Sequence, residues 1–310
     1  YEIASCLVGS EMCIRDRELT YQYLRLAHPK LREKYGDELS ADTSLNREDS
    51  FLKNYKKKSK SVYKSKRAFL IKGEKLAYDG FGVIHGYLPI KQLKKVCHDY
   101  GVSINEYLVA TFIWAAYQEY YRHITKDRPI RVAVPVNLRP YFDSITTKNF
   151  FVMVSAEFAP EKDDYTFEEI VELTRASLKE QINKEHLEKI FSYNVSNEQM
   201  VVARAVPLFL KNMAMRFVYT QSALANTTTV TNIGNIKVEE AYEPYIQMFH
   251  SFLSFSKGQQ LKATITSYKD TLVYTYTSAW QDTAIQRRVF RQIAQDGVDV
   301  KIETNGVYYE

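Results

Sequence analysis

Hydrophobic positions from residue 68 onward recur with two spacings, which predict helices and strands in alternation. Spacings of three and four residues indicate amphipathic helices, and strict alternation indicates strands. The predicted helices are 90–100, 107–123, 166–190, 196–219 and 282–296, and the predicted strands are 82–88, 130–136, 150–158, 228–236, 245–255, 261–267, 272–278 and 298–302. The turn at 268–271 implies antiparallel pairing. This mixture predicts an α/β or α+β sandwich on a mixed sheet.

Capping residues and glycines predict where several of these helices begin and end. A serine or threonine three residues before glutamate or glutamine forms a capping box, and this spacing occurs at Ser103–Glu106, Thr166–Glu169 and Ser196–Gln199. Gly101 and Gly297 follow two other helical patterns, at a position where glycine commonly ends a helix. The regular elements are sufficient for one large domain or two small ones.

The N-terminal region differs in composition from the rest of the chain. Residues 7–17 resemble a translated sequencing adapter, so 1–17 is interpreted as not native, with a signal peptide as the alternative. A helix is predicted from residue 18, with Tyr23, Leu26 and Leu31 on its apolar side. The His28-Pro29 step is predicted to end that helix and to leave His28 at the surface.

A basic segment follows at residues 53–67. It carries seven lysines and one arginine without an acidic residue, whereas the net charge of the whole chain is +5. We interpret this segment as a solvated linker, because no nucleic-acid-binding motif surrounds it. Contact with nucleic acid or anionic lipid is the alternative that such a run allows.

Cysteine usage and hydropathy indicate the cellular compartment. Only Cys97 lies outside the adapter-like segment, so an internal disulfide is not expected, which is typical of a reducing compartment. Cys97 lies on an apolar helical face and is predicted to be a buried structural thiol rather than a nucleophile. Apolar runs stay shorter than the roughly 18 residues of a membrane span. These features predict a cytoplasmic protein.

Candidate chemistry is sparse. The sequence shows neither metal-ligand spacing, nor a phosphate-binding glycine loop, nor a nucleophile elbow. Of the six histidines, only His250 lies in an apolar stretch where a cavity is expected, and a core histidine is the alternative interpretation. The residues alone therefore do not name a reaction.

Four motifs in order resemble the chloramphenicol-acetyltransferase-like superfamily, which includes condensation domains and alcohol acetyltransferases. Residues 130–140 (IRVAVPVNLRP) resemble its strand followed by Asn-Leu-Arg-Pro, and 149–155 (NFFVMVS) resemble its next strand. Residues 231–234 (TNIG) and 249–254 (FHSFLS) resemble later segments. The order and spacing match over 18–310, and the pattern is most similar to the bacterial alcohol-acetyltransferase-like branch.

The resemblance implies a two-lobed fold with a tunnel between the lobes. In this superfamily a His-x-x-x-Asp motif at the end of the first lobe supplies a general base for acyl transfer from a thioester. Only residues 123–127 (HITKD) have this spacing here, and they fall in the wrong lobe with Arg128 in place of glycine. The general-base histidine is therefore expected upstream of Glu18.

The resemblance also assigns roles to residues of this chain. Arg139 is expected to pair with the motif's aspartate across the lobe junction, so that without it Arg139 either finds another acid or lies open to water. Arg139 and Asn149 are expected to support the active site. Candidate tunnel-lining residues are Asn232, Gly234, His250 and Ser254.

The expected protein is thus a two-lobed α/β acyltransferase sandwich with its first lobe largely missing. Residues 18–67 are expected to be a lobe remnant with the basic linker, and 68–310 the C-terminal lobe. The expected function is an acyl-CoA-dependent O-acyltransferase, inactive as given, with acyl-CoA as co-substrate, a small hydroxyl acceptor and no bound cofactor, metal or nucleic acid. The alternatives are a condensation-type domain that uses carrier-bound thioesters and a non-catalytic two-lobed scaffold.

Overall fold

A seven-stranded mixed sheet organises the chain. The computed structural model describes residues 20–35, 48–56, 67–121, 128–144, 146, 148–198 and 207–308. The strands are β1 Gly82–Pro89, β2 Ile130–Asn137, β3 Phe151–Phe158, β4 Thr228–Asn235, β5 Leu261–Tyr268, β6 Thr271–Ser278 and β7 Lys301–Thr304. Their order across the sheet is β3-β2-β4-β5-β6-β1-β7. The β2–β4 and β4–β5 pairs are parallel and the others antiparallel, so the predicted mixed α/β fold is confirmed.

From residue 29 onward the helices are α1 Pro29–Tyr35, α2 Ser50–Asn54, α3 Ile90–Asp99, α4 Ile104–Ala116, α5 Arg139–Phe142, α6 Phe167–Gln181, α7 Lys184–Glu198, α8 Leu208–Ala223 and α9 Ala284–Gln295. The helix layer over one face of the sheet consists of α3, α4, α6, α7 and α9. A π-helical turn, Tyr117–Tyr121, continues α4. Both predicted capping boxes at Ser103 and Thr166 are present, and Gly101 and Gly297 adopt positive φ of 67° and 92° after α3 and α9.

The helix-covered face of the sheet is apolar because alternate strand residues point to it. Val230, Ala263, Tyr276 and Ile84 form one cross-strand row on this face. All four are buried in the main hydrophobic core together with α4. The core therefore lies between the central strands and the helix layer.

Two of the predicted helices, 166–190 and 196–219, have different boundaries, and so does the last predicted strand, 298–302, which is β7 at Lys301–Thr304. The helix predicted over 166–190 is interrupted after Gln181, where the Oδ1 of Asn183 accepts a hydrogen bond from the backbone N–H of His186 at 2.9 Å. This contact caps the N-terminus of a separate helix, α7, which begins at Lys184. Ser196 lies inside α7 and donates to the carbonyl of Ser192, so the prediction that it caps a new helix is wrong.

The N-terminal described residues also differ from the expectation. Helical residues 20–27 break at His28 as predicted, but the buried side chains are Tyr21 and Leu24, whereas Tyr23 and Leu26 are exposed. The ring of His28 contacts that of Tyr245 at 4.2 Å between centroids, so His28 is only partly at the surface. Leu31 is buried as predicted, so the assignment of Tyr23 and Leu26 to the apolar side is wrong and that of Leu31 is confirmed.

Part of the region interpreted as linker is helical. In α2, the carboxylate of Asp49 accepts from the N–H of Leu52, and the ring of Phe51 packs edge-on against Phe150 at 4.9 Å. Residues 48–56 therefore contact the core. The adapter-like segment, most of the basic segment (57–66) and His123 lie outside the described residues.

We predict that Gly86 is required for β1 to approach α9. A Cβ at this position would lie 2.1 Å from Cε1 of the buried Phe290. Gly86→Ala should therefore lower the free energy of unfolding by about 1–3 kcal/mol through overpacking, measured by urea denaturation. Gly73→Ala is the matched control, because its Cβ would meet Trp280 at an ordinary 3.6 Å. Equal effects of the two variants would contradict the close-approach argument.

Candidate functional site

The sheet face opposite the helices is polar, and it carries the candidate site. Residues paired across neighbouring strands project to the same face. One such row runs Thr231, Thr264, Thr275, His85 and Glu303 from β4 to β7. Three threonines, a histidine and a glutamate are therefore neighbours in one cross-strand row on this face.

An extended segment, residues 249–253, lies over this face. The threonine hydroxyls donate to alternate carbonyls of the segment: Thr266 to Phe249 at 3.1 Å, Thr264 to Ser251 at 2.6 Å and Thr277 to Leu253 at 2.7 Å. The segment was predicted as a strand over 245–255, and that prediction is wrong, because its described hydrogen bonds run to side chains beneath it rather than to a neighbouring strand.

The segment brings His250 into what we call the histidine cluster: His85, Tyr87, Thr275, His250 and Glu303. The two imidazole rings lie 4.5 Å apart between centroids. Nδ1 of His85 is 2.8 Å from the hydroxyl of Thr275. The hydroxyl of Tyr87 donates to Glu303 at 2.7 Å and lies 3.1 Å from Nε2 of His250. Five side chains from three strands and one loop thus meet at the edge of the sheet.

The hydrogen-bond pattern assigns the tautomer of His250. Because the Tyr87 proton is directed to the Glu303 carboxylate, the Tyr87 oxygen accepts from Nε2–H of His250. The Nδ1 of a neutral His250 then keeps its lone pair. An imidazole oriented through a hydroxyl by a carboxylate can accept a proton from a bound hydroxyl or thiol.

The electrostatics of the cluster favour neutral His85 and ionised Glu303. Burial, reinforced by the neighbouring His250, lowers the pKa of His85 to about 4. Burial and the hydrogen bond to Glu303 raise the pKa of Tyr87 to about 12. Hydrogen bonds from Lys301 and Tyr87 hold the pKa of the Glu303 carboxyl below its usual range. At neutral pH the cluster therefore contains an uncharged His85 beside a Lys301–Glu303 ion pair of 2.8 Å.

Arg139 lies at a second place, where β2 meets α5. Its side chain is buried, with 8% of the residue exposed. Nε donates to the carbonyl of Thr146 at 2.9 Å, and the terminal nitrogens donate to Oδ1 of Asn137 at 3.1 Å and to the carbonyls of Lys148 and Phe150. Of the two arrangements expected for Arg139, exposure to water is wrong, because the side chain is enclosed by carbonyl oxygens; pairing with another acid stays a prediction. Its main structural effect is to fix the connection from α5 to β3.

The other candidate residues are placed separately. Asn149 is exposed just before β3. In β4, Oδ1 of Asn232 accepts from the N–H of Gly234 at 2.9 Å at a bulge, where Gly234 has a φ of 85°. Ser254 is exposed next to the segment that carries His250. The structure thus brings only His250 of the predicted set into the histidine cluster.

His85, Tyr87 and Glu303 were missed by the sequence analysis. For His85 and Tyr87 the sequence did contain a signal, the alternation within β1, in which these two residues occupy the face opposite Gly86.

Two other expectations concern reactive and metal-binding side chains. Burial raises the pKa of the Cys97 thiol to about 12, which agrees with a structural role for Cys97. Within the described ranges, no group of three or more His, Cys, Asp or Glu side chains is arranged to hold a metal ion.

Comparisons with known proteins concern the fold. No protein-family model matches the sequence, and neither does any curated protein. Among solved structures, polyketide synthase associated protein 5 from Mycobacterium tuberculosis matches 93% of this chain and 69% of its own at 12% identity and a TM-score of 0.53. TRI101 from F. sporotrichioides, complexed with coenzyme A and T-2, matches 91% of this chain and 64% of its own at 10% identity and a TM-score of 0.53.

A third match is the epimerization domain from the third module of tyrocidine synthetase B, with 10% identity and a TM-score of 0.49 over 94% of this chain and 66% of that one. The chain thus spans about two thirds of the length of these three structures, between 64% and 69%. At such identities the likeness establishes the fold alone. This chain therefore shares the mixed α/β fold of polyketide synthase associated protein 5 and TRI101.

Among the described residues, none of the helices combines the length and the apolar character needed to cross a membrane.

We predict that His85 makes stability depend on pH. The unfolded state binds the His85 proton near pH 6.5, whereas the folded state binds it only near pH 4. Because the unfolded state binds more protons between these values, the free energy of unfolding falls as the pH falls through this window. His85→Gln should remove about 1–2 kcal/mol of that fall, less than the full shift implies because the ring is half exposed and solvent screens its charge, measured by urea denaturation at pH 7, 5.5 and 4. His98→Gln, whose side chain is 91% exposed, should leave the slope unchanged.

We predict that Arg139→Ala is strongly destabilising. The substitution leaves buried carbonyl oxygens without donors, so the free energy of unfolding should fall by about 3 kcal/mol. Arg139→Lys should restore only part of this loss, since an ammonium cannot reproduce the planar set of donors. Arg175→Ala is the control, because Arg175 makes an exposed pair with Glu172 and should cost less than about 0.5 kcal/mol. A similar loss in both alanine variants would contradict the enclosure of Arg139.

Proposed function

We propose that this chain forms the C-terminal part of an acyl-CoA-dependent O-acyltransferase of the alcohol-acetyltransferase type. The observation that carries this proposal is the placement of three of the four motifs in neighbouring strands. The 130–140 and 149–155 motifs form the adjacent strands β2 and β3, and the 231–234 motif forms the bulge of β4, next to them in the sheet. The fold shared with polyketide synthase associated protein 5 and TRI101 supports it.

The reaction requires one proton acceptor. The acceptor oxygen attacks the thioester carbonyl carbon, its proton passes to the base, the carbon–sulfur bond breaks, and the thiolate of coenzyme A takes up that proton. An ester and free coenzyme A result. The proposal assigns the base to a His-x-x-x-Asp motif upstream of Glu18. None of the described histidines is followed by aspartate four residues later.

Residues of this chain then have supporting roles in the proposal. The polar face of the sheet, with its threonine hydroxyls and segment 249–253, would line one wall of the acceptor site. The enclosure of Arg139 keeps the α5–β3 connection in one conformation, which is what a positioning residue requires. Asn149, Asn232, Gly234 and Ser254 remain candidates for contacts with substrate.

We predict that the chain as given releases no thiol from acetyl-CoA. Acyl transfer needs a base within about 2.6–3.2 Å of the acceptor hydroxyl, and the proposal places that base outside residues 18–310. Incubation with acetyl-CoA and a panel of short and long alcohols, followed with a thiol reagent, should give only the background rate. A longer chain with an intact upstream His-x-x-x-Asp should show turnover, and changing that histidine to alanine should abolish it.

The same assay tests the assignment of the base. If the chain as given turns over and His250→Ala abolishes the activity while His98→Ala does not, the base is His250 and the upstream assignment is wrong. If the longer chain with an intact motif transfers no acyl group to any alcohol, the proposed function itself is wrong.

A further inference from the structure

A cavity of about 290 Å³ lies in the helix layer between α9 and the C-terminal end of α4. Its lining includes an indole, one carboxylate and three guanidinium groups: Trp114, Glu119, Arg287, Arg288 and Arg291. The positive charges therefore outnumber the negative ones in this cavity. Neither the sequence motifs nor the proposed acyl transfer gives this cavity a role.

The three arginines are an unfavourable arrangement for the helix itself. Arg291 is four residues from Arg287 and three from Arg288, and like charges at these spacings repel on one helical face. Arg288 is paired with Glu119, and Arg287 makes only a long contact of 3.4 Å with the hydroxyl of Thr283. Across the part of the chain that the structure describes, Arg291 makes neither an ion pair nor a side-chain hydrogen bond. An anion bound between Arg287 and Arg291 would remove this repulsion.

The cavity is separate from the histidine cluster. Gly86 of β1 faces Phe290 of α9 at close approach, whereas His85 and Tyr87 alternate with it and project from the opposite face of the sheet. The cavity is built on α9 and α4, so it lies on the helix side. A ligand in it would not contact the residues proposed to support acyl transfer.

We propose that this cavity binds a nucleotide, with its phosphates between Arg287 and Arg291 and its base against Trp114. Guanidinium groups bind phosphate oxygens through paired, charge-assisted hydrogen bonds. The indole ring offers an aromatic surface on which a planar base stacks. The volume is at the lower limit of small-molecule sites, about 300 Å³, which favours a mononucleotide over a larger ligand.

The test uses isothermal titration calorimetry of the full chain with ADP, pyrophosphate and adenosine at about 50 mM ionic strength, where charge interactions are only partly screened. We expect ADP to bind more tightly than either pyrophosphate or adenosine. Arg287→Gln/Arg291→Gln should weaken ADP binding about tenfold or more, as expected for lost hydrogen bonds to a charged group. Arg175→Gln, an exposed helical arginine away from the cavity, is the matched control and should leave binding unchanged.

A second variant separates the base from the phosphates. Trp114→Leu should weaken ADP binding severalfold and leave pyrophosphate binding within a factor of two. The melting temperature of the unliganded Arg287→Gln/Arg291→Gln variant should be no lower than that of the original chain, because the like-charge repulsion is removed, and this checks that the variant folds.

Three outcomes would overturn the proposal. The first is absence of ADP binding to the original chain. The second is a loss in the Arg175→Gln control as large as in the double variant, which would indicate a general charge effect. The third is equal loss of ADP and pyrophosphate binding in Trp114→Leu, which would remove the base from the assignment. Coenzyme A itself contains an ADP unit, so the variants keep this test distinct from the proposed function: ADP bound at an acyl-CoA site away from the cavity would be unaffected by Arg287→Gln/Arg291→Gln and by Trp114→Leu.

Discussion

The burial of α4 constrains the rest of the fold. Nine of its thirteen residues are buried, so it must be covered on almost every side, by β2, α6, α9 and the central strands. The sheet contacts α4 through two tyrosines of β6 as well as through aliphatic side chains. Tyr276 donates to the hydroxyl of Tyr274 at 2.7 Å, and Tyr274 donates to the carbonyl of Leu108 in α4 at 3.1 Å. This chain of hydrogen bonds satisfies two buried hydroxyls and fixes the helix against the sheet.

That constraint separates the two faces of the sheet. Since alternate residues of β5 and β6 are committed to α4, the intervening threonines must face the other way, and there they need hydrogen-bond acceptors. The carbonyls of 249, 251 and 253 provide them. The spacing of two residues is the same as in a strand, which is why the sequence of 245–255 predicted one. Periodicity identified the extended conformation correctly, but it could not show that the partners are hydroxyls beneath the segment.

The same reasoning shows how much of the site was predictable. Local signals, such as the capping boxes at Ser103 and Thr166, identified most elements, and Asn183 offered a cap that would have separated α6 from α7. The histidine cluster depends on register instead. His85 meets Glu303 because β7 pairs with β1, and it meets His250 only because a loop crosses the sheet. His85 and Tyr87 lie more than 160 positions before both His250 and Glu303 in the chain, so no local pattern could bring them together.

Arg139 illustrates how a motif can be identified correctly while its environment is not. The resemblance implied an aspartate partner, and the structure encloses the guanidinium with carbonyls of Thr146, Lys148 and Phe150. Carbonyl oxygens accept hydrogen bonds, so they satisfy a buried guanidinium and also fix its direction. The sequence motif identified a buried arginine at the end of β2, but it could not identify these acceptors, because they come from the irregular connection between α5 and β3, which has no periodic pattern.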